Sequence, residues 1–526
     1  MVGTNDLHGH LAPLPVLGGY LRVLRELRAA DGGAVVLLDG GDLFQGTLAS
    51  NLGEGAPVIE AYARLGYDAA AIGNHEFDYG PVGPAITPTG PGDDPRGALR
   101  ARVAEAPFPL LTANLRHQGG GRLDLGPNAP ASTLLDRAGL QVGIIGVTTE
   151  DTLRTTMHAN VADLALDDLA VAIRREATTL RAKGAHVVLV AAHAGGRCEA
   201  FDDADDLRSC DRREEIFRLA ERLGPGSVDG IVAGHTHRAV AHRVAGIPVI
   251  ESYAHGRAFG RIDLVVQRGA GRVVESRIHP PRDLCARPPD EAPCAPGTYE
   301  GRAVRPDPAV AEATASALAA ARALREQPVG VVVDGRIRRD WDEESALGNL
   351  FVDLMLAARP DADVALTNGG GLRADLPAGP LLYGAFHRAT PFDNRFATFV
   401  APARELAGVV AANLARGGGF LSVGGARVEA GCRGGALSVE LARVDGTPIP
   451  EDERLTVVTS DYLATAPGPL RELATRAGLR FAASGTIRDA MVDVLRERGG
   501  HLRPADSYRR RAPRVRYPGR RPVRCR

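Results

Sequence analysis

Five clusters of Asp, Asn, His and Gly punctuate the N-terminal half of the chain, four of them directly after a short apolar run. Thr4-Asn5-Asp6-Leu7-His8-Gly9 precedes the first helical stretch. The run 34–38 is followed by Asp39-Gly40-Gly41-Asp42, and 69–72 by Gly73-Asn74-His75-Glu76-Phe77-Asp78. The run 187–191 leads to His193, and 230–233 to Gly234-His235-Thr236-His237. Runs 110–113, 142–147 and 248–250 also read as strands, while 17–30 and 167–182 carry apolar residues at helical spacing. This alternation predicts an α/β fold with a largely buried sheet and helices outside. In such sheets ligands bind at the carboxyl edge of the strands, where these clusters fall.

A second region follows. Residues 277–301 are rich in Pro and Cys and read as a linker, and the Ala-rich stretch 309–326 reads as a connecting helix. From 329 to 503 a new α/β pattern begins, with Gly-rich loops at 368–371 and 417–419. The expected division is therefore 1–280, a linker and helix over 281–327, a second domain over 328–506, and a tail over 507–526. No repeat with a 20–50 residue period is present.

Composition narrows the function class. Lys and Arg number 63 against 64 Asp and Glu, and no apolar run reaches the roughly 18 residues of a bilayer span. A net charge of −1 argues against a nucleic-acid coat, and no transmembrane segment is expected. The nine Arg and no acids between 509 and 526 read as a disordered basic extension. The six Cys lie mostly in polar loops without any C-x-x-C, which suggests disulfides and an oxidising compartment; six allow 15 pairings. Asp6 should end a strand, yet few residues precede it, so the expected start lies upstream and includes an export signal. Periplasm, cell surface and secretion are not distinguished.

The clustered residue types are those of a metal site. Asp, Asn and His without thiolates suit Zn, Mn, Fe or Co. Asp6/His8 and His235/His237 are spaced i, i+2, so an extended segment would point each pair one way. Six or seven ligands including an amide suggest two divalent ions sharing a carboxylate, an arrangement that acidifies water and binds phosphoryl oxygens. His75 is free to act on the leaving oxygen, with Asp78 fixing its tautomer. His10, His117, His158, His186, His242, His255, His279, His387 and His501 lack such a context and read as structural.

Residues 4–9, 39–42, 73–78, 193 and 234–237 resemble the calcineurin-like metallophosphoesterases. Leu347-Gly348-Asn349-Leu350, Asn368-Gly369-Gly370-Gly371-Leu372-Arg373 and Pro391-Phe392 resemble the C-terminal domain of the 5'-nucleotidase family. The resemblance implies a four-layer α/β/β/α domain followed by a second α/β domain. It implies that Asp6, His8, Asp42 and His237 hold one metal ion, and Asp42, Asn74, His193 and His235 the other. His75 and Asp78 would form the catalytic dyad. Asn368 and Arg373 would contact substrate, with Phe392 and Tyr462 stacking on a base.

Two departures bear on substrate choice. Relatives often carry an Arg just before Glu-Ser; here Glu343 precedes Glu344-Ser345. The family's Gly-Gly-Asp-Gly loop, whose Asp binds ribose hydroxyls, reads Ala464-Thr465-Ala466-Pro467-Gly468. The expected function is an exported dinuclear phosphoester hydrolase releasing phosphate from nucleotides. Alternatives on the same fold are a cyclic-nucleotide or UDP-sugar phosphodiesterase, a sugar phosphatase or a sulfur-ester hydrolase. A non-catalytic surface-binding protein is a further alternative. The expected partner is a small phosphoester and not nucleic acid; the oligomeric state is unknown.

Overall fold

Short apolar strands with alternating faces build the first compact unit, Met1–Val82 with Gly92–Ala321. The computed structural model describes all residues except 89, 91, 268, 270, 286–295, 483–484, 510 and 526. One six-stranded sheet runs Arg272–Asp283, Ala258–Gln267, Val2–Thr4, Leu37–Asp39, Ala69–Ala71, Leu110–Leu111, its last four strands parallel. The other runs Ala239–Val244, Ile247–Ser252, Gly230–Ala233, Val187–His193, Leu140–Thr148, Ser132–Arg137, with its four central strands parallel.

The period of 2 decides what each face meets. Leu38, Ala69 and Leu111 of the first sheet pack against Ile144, Leu189, Val232 and Ile250 of the second. Ile145, Val188, Val190 and Ile231 face the other way, onto helices Leu169–Ala182 and Glu215–Leu223. On the outer side of the first sheet, helix Ala56–Leu65 reaches Asp39 through the Tyr62 hydroxyl, which donates at 2.8 Å. The layers are helix, sheet, sheet, helix, and five parallel strands from both sheets deliver the polar clusters at their carboxyl ends.

The second unit comprises Gly83–Pro91 and Arg322–Arg526. Helix Pro308–Arg325 carries the chain into it, the division falling after Ala321. Its five-stranded sheet runs Leu421–Gly424, Val364–Asn368, Arg454–Ser460, Phe396–Pro402, Arg480–Phe481. Ser345 and Ser460 each cap the helix that follows, accepting from Gly348 N and Leu463 N.

Two expectations are corrected. Residues 277–283 are not linker: they belong to strand Arg272–Asp283, where Arg277 and Ile278 pair with Asp263 and Ile262. The tail 507–526 is not a disordered extension. Val515–Arg516 adds in parallel to strand Ala426–Arg433, Cys525 is bonded to Cys432, and Val515 and Val523 are buried in the core of this unit. Two apolar anchors and a covalent closure outweigh the repulsion of the arginines. Cys198 is bonded to Cys210 and Cys285 is also disulfide-bonded, while Cys294 lies outside the described residues. Among the described residues no helix is long and apolar enough to cross a membrane. Removing residues 511–526 is expected to destabilise the second unit by about 3–6 kcal/mol from the two buried valines alone. Thermal unfolding checks this; an unchanged melting profile would return the segment to the status of a loose tail.

Candidate functional site

The strand ends of the first unit bring lone-pair donors face to face. Asp6, His8 and His237 form one group and Asp42, His193 and His235 another, the ligand atoms of each lying within 4.8 Å of one another. His8 Nδ1 is 2.7 Å from the Gln45 carbonyl oxygen, and His193 Nδ1 is 2.9 Å from that of Gly40. A carbonyl oxygen only accepts, so each Nδ1 carries the proton and each Nε2 presents a lone pair. His8 Nε2 faces His237 Nε2 at 3.0 Å and Asp42 Oδ2 at 3.7 Å. His193 Nε2 faces Asn74 Oδ1 at 2.9 Å, Asp42 Oδ2 at 3.1 Å and His235 Nδ1 at 3.2 Å. The Asn74 amide donates to the Thr155 carbonyl at 3.2 Å, which turns its oxygen inward. Imidazole nitrogens, carboxylate oxygens and an amide oxygen gathered at these distances form a donor set that fits divalent metal ions. Asp42 belongs to both groups' surroundings.

The ligand segments are not extended, contrary to the i, i+2 expectation. Asp6, His8, Asp42, His235 and His237 have φ of 51°, 48°, 59°, 85° and 57°. Left-handed backbone at non-glycine residues is strained and persists only where the surroundings hold it. Here buried groups do so. The Glu76 carboxylate accepts from the amides of Asp42 at 2.9 Å, Gly73 at 2.7 Å, Leu43 at 2.7 Å and Phe44 at 3.3 Å. Asp6 accepts from His235 N at 2.9 Å and from the Asn5 amide at 2.7 Å. Glu251 accepts from Gly196 N at 2.8 Å and Thr236 Oγ1 at 2.6 Å, fixing the loop between His235 and His237. Gly73 is obligatory, because a Cβ there would lie 2.2 Å from Asp42 Oδ1.

His75 stands beside the ligands. Its Nδ1 is 2.5 Å from Asp78 Oδ2, and the Thr156 hydroxyl donates to the other Asp78 oxygen at 2.7 Å. Burial disfavours the imidazolium, but Asp78 and Asp42 outweigh it and raise His75 to about 9. Next to His235 a cavity of about 580 Å³ opens, lined by Asp151, Arg154, Glu214, Arg218 and Thr236 among others.

The sequence reading missed several residues here. His10 and His255, read as structural, stack at 4.2 Å, and the His255 ring lies 5.4 Å from that of His237. The signal was His255-Gly256 shortly after a strand, the same arrangement as the other clusters. Glu76 and Glu251 gave no local signal, because their partners are distant in sequence.

In the second unit topology gathers the remaining candidates. Val364–Asn368 and Arg454–Ser460 are parallel, so Asn368 and Tyr462 leave the same sheet edge. Phe396 pairs with Ser460 in the antiparallel strand, which brings the preceding Phe392 to that edge. The fully buried Arg395 braces both loops: its carbonyl accepts from Asp461 N at 2.9 Å, and its guanidinium donates to the carbonyls of Thr87 at 2.9 Å and Ala482 at 3.3 Å. Burial pushes the neighbouring Asp461 carboxyl up to about 7. The Arg373 guanidinium sits 5.9 Å from the centre of the Phe392 ring. Glu343 is exposed, whereas Glu344 is turned inward and accepts from Asn349 Nδ2 at 2.6 Å and Val515 N at 3.0 Å.

Comparison with known proteins matches residues 2–239 to the calcineurin-like phosphoesterases and residues 322–470 to the 5'-nucleotidase C-terminal domain. Endonuclease YhcR of Bacillus subtilis (strain 168) is 26% identical over 468 residues, 89% of this chain and 35% of that protein. Protein UshA of Yersinia enterocolitica is 27% identical over 425 residues, 74% of this chain and 72% of its own length. The chain thus spans about a third of the first relative and nearly three quarters of the second. The crystal structure of a 5'-nucleotidase precursor from Thermus thermophilus superposes with a TM-score of 0.66 at 23% identity, covering 95% of this chain and 96% of that one. The chain belongs to the 5'-nucleotidase family of metallophosphoesterases, with a calcineurin-like phosphoesterase domain followed by a 5'-nucleotidase C-terminal domain.

Proposed function

We propose that this protein is an exported hydrolase that releases phosphate from nucleoside monophosphates. The observation that carries the reading is the convergence of nitrogen and oxygen ligand atoms beside the His75–Asp78 pair. Asp6, His8, Asp42 and His237 would hold one divalent ion, and Asp42, Asn74, His193 and His235 a second, with Asp42 shared. Two such ions, drawn from Zn, Mn, Fe or Co, would supply an acidified water and positive charge for the phosphoryl oxygens. The chain's own groups do the rest. Asp78 accepts from His75 Nδ1 and keeps the ring oriented, so that Nε2 presents a proton to the developing charge or the leaving oxygen. Asn368, Arg373, Phe392 and Tyr462 recognise the remainder of the ester: a fixed planar cation for the anion and aromatic rings for the base. The disulfides favour an oxidising compartment, which supports export.

Dialysis against a chelator is expected to abolish phosphate release from AMP, and Mn or Zn to restore it. His75→Ala is expected to keep the metal content and lose about 10²–10⁴-fold in kcat. Unchanged turnover in a metal-replete sample would refute the dyad. Glu76→Gln removes acceptors from the amides that hold the Asp42 loop and should weaken metal affinity about 10–100-fold, read by calorimetric titration. A preference for AMP over ribose 5-phosphate is expected; equal turnover would make the protein a general phosphomonoesterase.

A further inference from the structure

The sheet edge that carries Asn368 and Tyr462 holds one more aromatic residue. Trp341 is the only tryptophan of the chain, and it is 44% exposed. It is not loosely placed. Its carbonyl accepts from Phe420 N at 2.7 Å, and its ring edge lies 3.2 Å from where a Cβ on Gly370 would stand. The Asn368 amide nitrogen lies 3.1 Å from the same point, so indole and amide meet over Gly370.

Two cations border this platform. Arg339 Nη1 donates to the Leu372 carbonyl at 3.1 Å, which sets its guanidinium beside Arg373. Arg373 is drawn below the usual arginine range, first by partial burial and then by Arg339. Among the described residues neither guanidinium forms an ion pair. Two guanidiniums side by side offer donors to an anion, even with the Asp375 carboxylate accepting from Arg339 N at 2.9 Å. Arg373 lies 5.9 Å over one face of the Phe392 ring, and Trp341 adds a further exposed aromatic surface beside it.

We propose that Trp341 stacks on the base of a bound nucleoside monophosphate and that Arg339, paired with Arg373, holds its anionic side. This inference rests on the proposed nucleotide reading and adds two specificity-determining residues to it.

Tryptophan emission from the metal-loaded full chain, excited where tyrosine does not absorb, reports on Trp341 alone, and adenosine and ribose, which offer no phosphoester, avoid turnover. Adenosine is expected to change the emission saturably and ribose to leave it unaltered. In kinetics, Trp341→Ala should raise KM for AMP about tenfold while leaving ribose 5-phosphate unaffected, and Trp341→Phe should recover most of the loss. Arg339→Ala should weaken AMP and ribose 5-phosphate alike by about tenfold, with partial recovery in Arg339→Lys. Flat emission with adenosine overturns the stacking role, as does an equal KM increase for both esters in Trp341→Ala. If AMP is not hydrolysed but adenosine still shifts the emission, the enzymatic reading fails and the subsite stands. If AMP is hydrolysed under flat emission, the subsite alone fails.

Discussion

The first unit is organised around a concentration of ligand atoms: the imidazole nitrogens of His8, His193, His235 and His237 and the oxygens of Asp6, Asp42 and Asn74 gather into two adjoining groups. Such a set would fly apart on flexible loops. It holds because the opposite side of each key ligand is tied to something that cannot move. The Gln45 and Gly40 carbonyls fix two imidazole tautomers, Thr155 fixes an amide, and Asn5 and His235 N fix Asp6. Beneath them Glu76 and Glu251 substitute for the backbone partners that left-handed turns forgo. Strain of this kind, of order 1–3 kcal/mol per residue, is borne by the apolar layer between the two sheets.

The second unit solves a different problem. Phosphoryl chemistry demands fixed charge, whereas choosing among esters demands shape and moderate, exchangeable attraction. Its sheet edge therefore carries planar groups: Asn368, Phe392, Tyr462 and the exposed Trp341, with Arg339 and Arg373 between them. Arg395 buried below binds both the Phe392 and Tyr462 loops to one framework. Under the proposed nucleotide reading, the loop 464–468, with no acid to take a sugar diol, leaves the rings and guanidiniums as the principal means of discrimination.

How much of this was legible depended on range. The strands and the ligand clusters could be read, because each is a local pattern: an apolar run followed within a few residues by Asp, Asn or His and Gly. The left-handed backbone at Asp6, His8, Asp42, His235 and His237 could not, since spacing alone does not reveal φ. Glu76 was in plain view inside Gly73-Asn74-His75-Glu76, yet its task, holding amides from 42 to 44, exists only once two strands are side by side. His255 and Trp341 were passed over for a related reason. A single ring in a loop carries no periodicity, and its neighbours His10, His237, Asn368 and Gly370 come from distant parts of the chain.

The arginine-rich C-terminus shows how charge counts mislead when pairing is long-range. Nine arginines without an acid suggest a solvated tail or a contact with polyanions. Folded, Arg514 grips Asp353 with both terminal nitrogens at 2.7 Å, Arg516 faces Glu429 at 3.4 Å, and Arg521 donates to the carbonyls of Asp342 at 2.8 Å and Asn413 at 2.9 Å. The backbone of Arg514 and Val515 meanwhile donates to Glu344, the carboxylate beside the helix cap Ser345. A segment that looked like surplus positive charge supplies counter-charge and amide donors to the loop leading into that helix. That loop also carries Trp341. The terminus therefore bears on the shape of the sheet edge that the proposed subsite uses, through Arg521 at Asp342 on one side and Glu344 on the other.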